Sequence, residues 1–168
     1  MRTKIAYILA LVCTINFYGQ EFINGTIITK RYDTITDVKI KKLSDIKSLL
    51  HIVYIDAEGN EQRPDINTIK CYNRGNETFT RIYNSGEMIL VKQLVAGKKL
   101  NLYHRNYSGV NVYYVEKIYD ELIKVPASSG KFKKVMSEFL KDAPQISKKI
   151  KEKQLVNIEE VVSMYNES

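Results

Sequence analysis

The side chains able to do chemistry are few and scattered along the chain. Histidine occurs only as His51 and His104, and neither stands in a spacing that would gather metal ligands from one helix face or turn. His104 falls at the end of an expected strand beside Tyr103 and Arg105, where a surface or hydrogen-bonded imidazole is the default reading. Neither a metal nor a cofactor is therefore expected. No nucleophile elbow, zinc-protease helix or phosphate-binding glycine loop occurs. Aspartate and glutamate are plentiful, but no spacing pairs two of them as acid and base. These absences favour a binding module over an enzyme, with a small extracytoplasmic hydrolase or hydrolase inhibitor as the alternative.

Two groups of residues remain as candidates for recognition. Tyr103, Tyr107, Tyr113 and Tyr114 crowd one expected hairpin around His104, and tyrosine joins an apolar ring to a polar tip that suits protein or sugar contacts. Alternation along a strand sends Tyr113 and Tyr114 to opposite faces, one to the core and one to the surface. Lysines form the second group: Lys131, Lys133 and Lys134, then Lys148, Lys149, Lys151 and Lys153 around Glu152. Such a run most simply forms a solvated helix face. Cations also attract phosphates, but the export signal described next excludes nucleic acid as a partner. Anionic headgroups or acidic polysaccharides of the envelope are the ligands in reach.

The elements that hold these residues follow from charge and periodicity. Arg2 and Lys4 precede a mostly apolar run from Ile5 to Phe17, too short to span a bilayer, so Met1 to Gly19 reads as an export signal. Without it, 24 basic residues face 19 acidic ones, a net charge of +5 against +7 for the whole 168-residue chain. The expected location is secreted or periplasmic, with no transmembrane helix after cleavage. Only Cys71 then remains, so no internal disulfide forms, and a buried cysteine in a strand is its simplest role.

From residue 20 to residue 125, short runs of Ile, Val, Tyr and Thr alternate with Gly, Asn and Asp clusters, predicting about eight strands of an antiparallel meander. The first hairpin joins Thr26–Lys30 to Thr34–Lys41, with Thr36, Val38 and Ile40 on one face. Pro64-Asp65-Ile66 reads as the start of a short helical turn. Asn73 to Asn76 and Asn106 to Gly109 read as turns. After the linker Val125 to Gly130, residues 126–168 switch to helical spacing. Phe132, Val135, Met136, Phe139 and Leu140 mark the first helix, and Ile146 and Ile150 the second. Ile158, Val161, Val162 and Tyr165 mark a third, behind a cap at Asn157. The fold class is α+β: an antiparallel meander or partly closed barrel followed by about three helices.

Three stretches carry a resemblance. Gly25-Thr26-Ile27-Ile28-Thr29 with Asp33-Thr34-Ile35, then Pro64-Asp65-Ile66, then Leu140 to Pro144 with the ending Val161 to Asn166, resemble a largely uncharacterised family of small exported proteins of the Bacteroidota. The resemblance implies export and a β-rich body with a helical tail ending in Tyr-Asn. It brings no established activity. Two turn glycines usual in the family are replaced by Tyr32 and Asp37, so the first hairpin is expected to turn differently. Asp33-Thr34-Ile35 also fits the O-glycan attachment pattern of that phylum, which makes Thr34 a candidate modification site. The functional expectation is an exported, non-enzymatic module that binds an envelope protein or a glycan.

Overall fold

The computed structural model describes residues 21–118 and 120–168, so the stretch Met1 to Gly19, expected to be an export signal, lies outside the described residues. Ten strands form one antiparallel sheet in the order β10-β9-β8-β7-β6-β5-β1-β2-β3-β4. The chain builds it as two meanders laid back to back. The first contains β1 (Phe22–Thr29), β2 (Thr34–Lys41), a short helix α1 (Asp45–Ser48), β3 (Tyr54–Ile55) and β4 (Glu61–Gln62). A 3-10 turn, Ile66–Thr68, then carries the chain back to β1. From there β5 (Ile69–Arg74), β6 (Glu77–Asn84), β7 (Glu87–Val95), β8 (Leu100–Tyr107), β9 (Val110–Lys117) and β10 (Leu122–Lys124) run outward. Helices α2 (Ser129–Phe139), α3 (Pro144–Lys151) and α4 (Ile158–Glu167) follow. The sheet is open, so the meander form of the expectation holds and the barrel does not. Among the described residues no helix is long and apolar enough to cross a membrane.

Turn chemistry explains why strands run further than their apolar runs suggest. Ser85-Gly86 and Ser108-Gly109 are two-residue turns with all four φ angles positive, the geometry that matches the twist of flanking strands. Such tight turns leave Arg74 inside β5, and Asn106 and Tyr107 inside β8, although all three read as turn residues in sequence. Asp65 caps the 3-10 turn by accepting a 2.8 Å hydrogen bond from the Asn67 amide.

The first hairpin also corrects a facing. Gly25 pairs with Val38 but Ile27 pairs with Ile35, so Thr36 and Asp37 together oppose one residue of β1. This bulge turns Thr36 to solvent and brings Ile35 against the core beside Val38 and Ile40. Tyr32 and Asp37 have φ of 69° and 57°, the left-handed conformation a glycine would take without strain. The hairpin therefore keeps glycine's geometry with other residues, contrary to the different turn expected. At Gly25 a Cβ would collide with the Asn73 carbonyl oxygen and the Ile40 side chain, so only glycine lets β2, β1 and β5 approach there.

Helices cover one end of one sheet face. Leu100, Leu102 and Val115 of that face pack against Phe132, Met136 and Leu140 from α2, Ile146 and Ile150 from α3, and Ile158, Val161, Val162 and Tyr165 from α4. Val135, expected in the buried stripe, is instead partly exposed. Ser147 Oγ donates to the Ser137 carbonyl at 2.7 Å and ties α3 to α2. The Asn157 side chain accepts from the Glu159 amide at 2.8 Å, the expected cap of α4.

The tail then clasps the sheet through one side chain. Asn166 Oδ1 accepts from the amides of Lys99 (2.9 Å) and Leu100 (3.0 Å), while its Nδ2 donates to the Leu100 carbonyl (2.9 Å) and the Val162 carbonyl (3.0 Å). It satisfies Leu100 as a neighbouring strand would. Gly97 faces this amide so closely that a Cβ would overlap it.

The other end of the same face holds a second core, with Ile27, Val38, Ile40, Ile69, Tyr72 and Phe79 roofed by Leu49 and Ile52 from the segment that follows α1. A third cluster, Ile82, Ile89, Val91, Tyr103 and Tyr114, is buried on the opposite face. The β6–β7 turn (Tyr83, Asn84, Ser85) and β10 line one pocket although three strands separate them, so the sheet curls over this cluster.

Candidate functional site

A mostly apolar cleft lies where the sheet hands over to the helices. The Val125 amide donates to the Tyr113 carbonyl at 2.9 Å, extending the β9 pairing by one residue before Pro126, which has no amide hydrogen, ends it. The chain then turns into α2, burying Phe132 while Lys131 and Lys133 stay outside. Opposite, α3 ends in a Schellman turn: the Gln154 amide bonds the Lys149 carbonyl (2.9 Å) and the Lys153 amide bonds the Ile150 carbonyl (3.1 Å). Lys153 holds the left-handed position of that turn, φ 60°, where glycine is usual.

Between these segments is a cavity of about 340 Å³, lined by Val125, Pro126, Ala127, Phe132, Ile150, Val156 and Ile158 with Tyr113, Asn111 and Ser129. Lys133 and Lys153 stand at its rim. A neighbouring groove shares Asn111, Val125, Pro126 and Ala127 and adds Lys124 and Lys131. Among the described residues none of these four lysines forms an ion pair, although other lysines do. No carboxylate lines either space. Val156 is 61% exposed, so the floor presents an aliphatic side chain to solvent.

The structure gathers some of the tyrosine cluster here and draws the rest away. Tyr113 lines the cavity, its ring 5.1 Å from the His104 ring. His104 Nε2 lies 3.1 Å from Asn111 Oδ1, which also accepts from Asn106 Nδ2 at 2.9 Å. Tyr107 is 65% exposed near the hairpin tip, with the Arg105 guanidinium 5.8 Å from its ring. Tyr103 and Tyr114 are each 5% exposed within the curled face. The Tyr103 hydroxyl donates to Glu116 at 2.6 Å, and burial, helped by that carboxylate, pushes its pKa up. Burial likewise raises Tyr114. Tyr113 and Tyr114 therefore do not divide into core and surface: Tyr114 is buried and Tyr113 is half-buried against the helical core.

The remaining candidates lie apart. Thr34 is exposed at the start of β2, and among the described residues its hydroxyl makes no hydrogen bond with another side chain or the backbone. His51 is exposed after α1. Cys71 is free and only half-buried, a correction to the buried position expected; burial still pushes its thiol up, against the nearby Lys70 charge. Among the described residues no cluster of three or more His, Cys, Asp or Glu could hold a metal.

The largest polar assembly was invisible in the sequence. Arg74 is 1% exposed; its Nη2 and Nε meet Glu77 Oε2 at 2.6 and 3.0 Å, and its Nη1 donates to the Lys41 carbonyl and Ser48 Oγ, both at 3.1 Å. Glu77 Oε1 is 2.8 Å from Lys92 Nζ, which lies 3.1 Å from Asp45 Oδ1. Desolvation would raise Glu77, but hydrogen bonds from Lys92 and Arg74 outweigh it and hold its carboxyl below the ordinary value. Tyr72 donates to the Ser48 carbonyl at 2.7 Å and stacks on Phe79 with ring centres 4.6 Å apart. Two cations and two anions neutralise one another in this chain of contacts. It fastens α1 to the sheet and leaves no charge for a ligand.

Comparison of the chain with family models, curated proteins and solved structures gives no match. The candidate site is consequently defined by its own geometry: an apolar cleft, four unpaired lysines at its margin, and a hairpin end carrying Tyr107, Tyr113 and His104.

Proposed function

We propose that the protein is an exported, non-enzymatic binding module of the secreted or periplasmic space, and that its recognition surface is the end of the sheet where the cleft meets the β8–β9 hairpin. The observation that carries this reading is the unneutralised charge around the cleft. Lys117 and Lys92 elsewhere lie beside carboxylates at 2.8 Å, whereas Lys124, Lys131, Lys133 and Lys153 border a cleft and groove whose linings hold no carboxylate, and none of the four is in an ion pair among the described residues. Charge left unpaired beside uncovered apolar area is what an incoming ligand completes. The setting of His104 supports binding over hydrolysis, because its partner is the amide oxygen of Asn111 rather than a carboxylate that would orient a base. Envelope proteins and glycans are the partner classes, with Tyr107 contributing an exposed ring.

The test is capture from native envelope extract by tagged protein beside Lys133→Glu and Tyr107→Ser variants. Reproducible recovery of one partner by the native protein, lost with either variant, is the expected outcome. Recovery insensitive to both would remove this surface from consideration. Thr34 is the proposed O-glycan acceptor of the same exported protein, supported by its exposed hydroxyl; a glycan mass on the peptide containing Thr34, absent from Thr34→Ala, is the corresponding readout.

A further inference from the structure

We infer that the cleft between β9, the linker after β10 and the helical layer binds a medium-chain acyl anion, a fatty-acid-like carboxylate taken from solution. The inference rests on the binding-module reading, gives the apolar cleft a small ligand of its own, and leaves the envelope partner to the hairpin end and rim around it.

Shape and polarity set the ligand's body. The cavity, about 340 Å³, lies at the small end of the range for organic ligands. Its floor is Val125, Pro126, Phe132, Ile150, Val156 and Ile158. Apart from lysine, the polar side chains along it are Asn111, Ser129 and the Tyr113 hydroxyl, too few to satisfy the many hydroxyls of a sugar ring. An aliphatic chain needs no such partners. It would also cover Val156, which the fold leaves uncovered one residue before the α4 cap.

Charge sets the ligand's head. Lys133 and Lys153 flank the mouth with no carboxylate in the lining, and Lys124 and Lys131 continue the same sign along the adjoining groove. A cationic or neutral head would gain nothing there, while a carboxylate would meet two unpaired ammonium groups. Lys153 takes its place at the rim from the left-handed position of the turn that ends α3. A chain with two acyl tails exceeds the volume, which favours a single chain.

Isothermal titration calorimetry of the purified protein with hexanoate, octanoate, decanoate and dodecanoate, each below its micelle concentration, tests this directly. Affinity should rise about fourfold per added methylene until the cavity is filled, then level off. Decan-1-ol should bind more weakly than decanoate, and decyltrimethylammonium more weakly still. Replacing Lys133 and Lys153 together by alanine should lower decanoate affinity by about tenfold, leaving decan-1-ol and the thermal unfolding midpoint unchanged. Val156→Asp should abolish binding of both. Equal binding of decyltrimethylammonium, insensitivity to the lysine pair, or no heat with any chain length would each overturn the inference. Sedimentation with phosphatidylglycerol vesicles in the absence of decanoate binding would also overturn it, assigning the lysines to a membrane surface. Should decanoate fail while envelope capture still depends on Lys133, the acyl ligand is refuted and the binding module stands.

Discussion

The two ends of the sheet's covered face handle charge in opposite ways. Around β5 and β6 the charges are drawn in around the buried Arg74: it alternates in sign with the partly exposed Glu77, Lys92 and Asp45, and the four share hydrogen bonds and close over Tyr72 and Phe79. Around β8 and β9 the core beneath the helices is apolar, and apart from the Lys117–Asp142 pair the charges beside the cleft stand at its margin unpaired. A buried charge is tolerable only when its partners are built in, so the first end spends its ionic groups on architecture. Charges at the second end remain available. Among the described residues no buried side-chain nitrogen or oxygen lacks a partner, and this places reactivity toward ligands at the margin rather than the interior.

The sharpest way to break this contrast is at Arg74. Arg74→Met strands Glu77 and the Lys41 carbonyl, and should cost about 3 kcal/mol by urea unfolding, at the low end for a broken buried pair because Glu77 keeps some contact with water. Adding Glu77→Leu should restore part of the loss. A cost no greater than that of a surface pair would show that the network is incidental. Next comes the clasp at the opposite end, where Asn166→Ala leaves the Leu100 amide and carbonyl short of partners and should cost about 2 kcal/mol. Its unfolding should remain a single transition if the two ends form one cooperative unit.

Acid separates the ends more gently. Glu77 sits below its ordinary 4.5 in the folded protein, so its stabilising contribution is present above that value and is lost as pH falls through the lower, folded one. Asp142 behaves the same way: desolvation would raise it, but hydrogen bonds from Lys117 and the Tyr165 hydroxyl hold it below 3.8. Glu77 serves two cations and Asp142 one. Glu77→Gln should therefore flatten the acid limb of a stability–pH curve more than Asp142→Asn, and the reverse order would move the weight of the electrostatics to the helical end. The smallest effect is expected at Asp37→Gly, which relieves a left-handed aspartate and should stabilise the first hairpin by less than about 1 kcal/mol, read as a small rise in unfolding midpoint.

Much of the architecture was legible because periodicity is a local property. The strand β9 and all three C-terminal helices follow their apolar spacing closely, and the cap at Asn157 announces itself three residues ahead of Glu160. The pieces that escaped depend on neighbours distant in sequence. Arg74 looks like a turn residue until Ser48 and Lys92 are brought beside it, and Ile35 changes face through a bulge that only pairing with β1 reveals. Tyr103 and Tyr114 stood among the binding candidates because alternation identifies two faces without saying which is buried or that the sheet curls over the second. The cleft was illegible for a related reason. Its wall residues come from β9, the linker, three helix ends and the α3–α4 loop, and its one local hint was the apolar Leu155-Val156 pair within the polar stretch Lys151 to Asn157.

The sheet's outer margins have a consequence for how many copies can share a small volume. Its terminal strands, β4 and β10, are two and three residues long. The uncovered part of β2 is broken by the bulge at Thr36 and Asp37. A foreign strand arriving at either side finds too short a row of free amides to extend a ladder. Ten strands are thus displayed without offering a seed for fibre growth, and the molecule can be held at high local concentration with its backbone chemically silent.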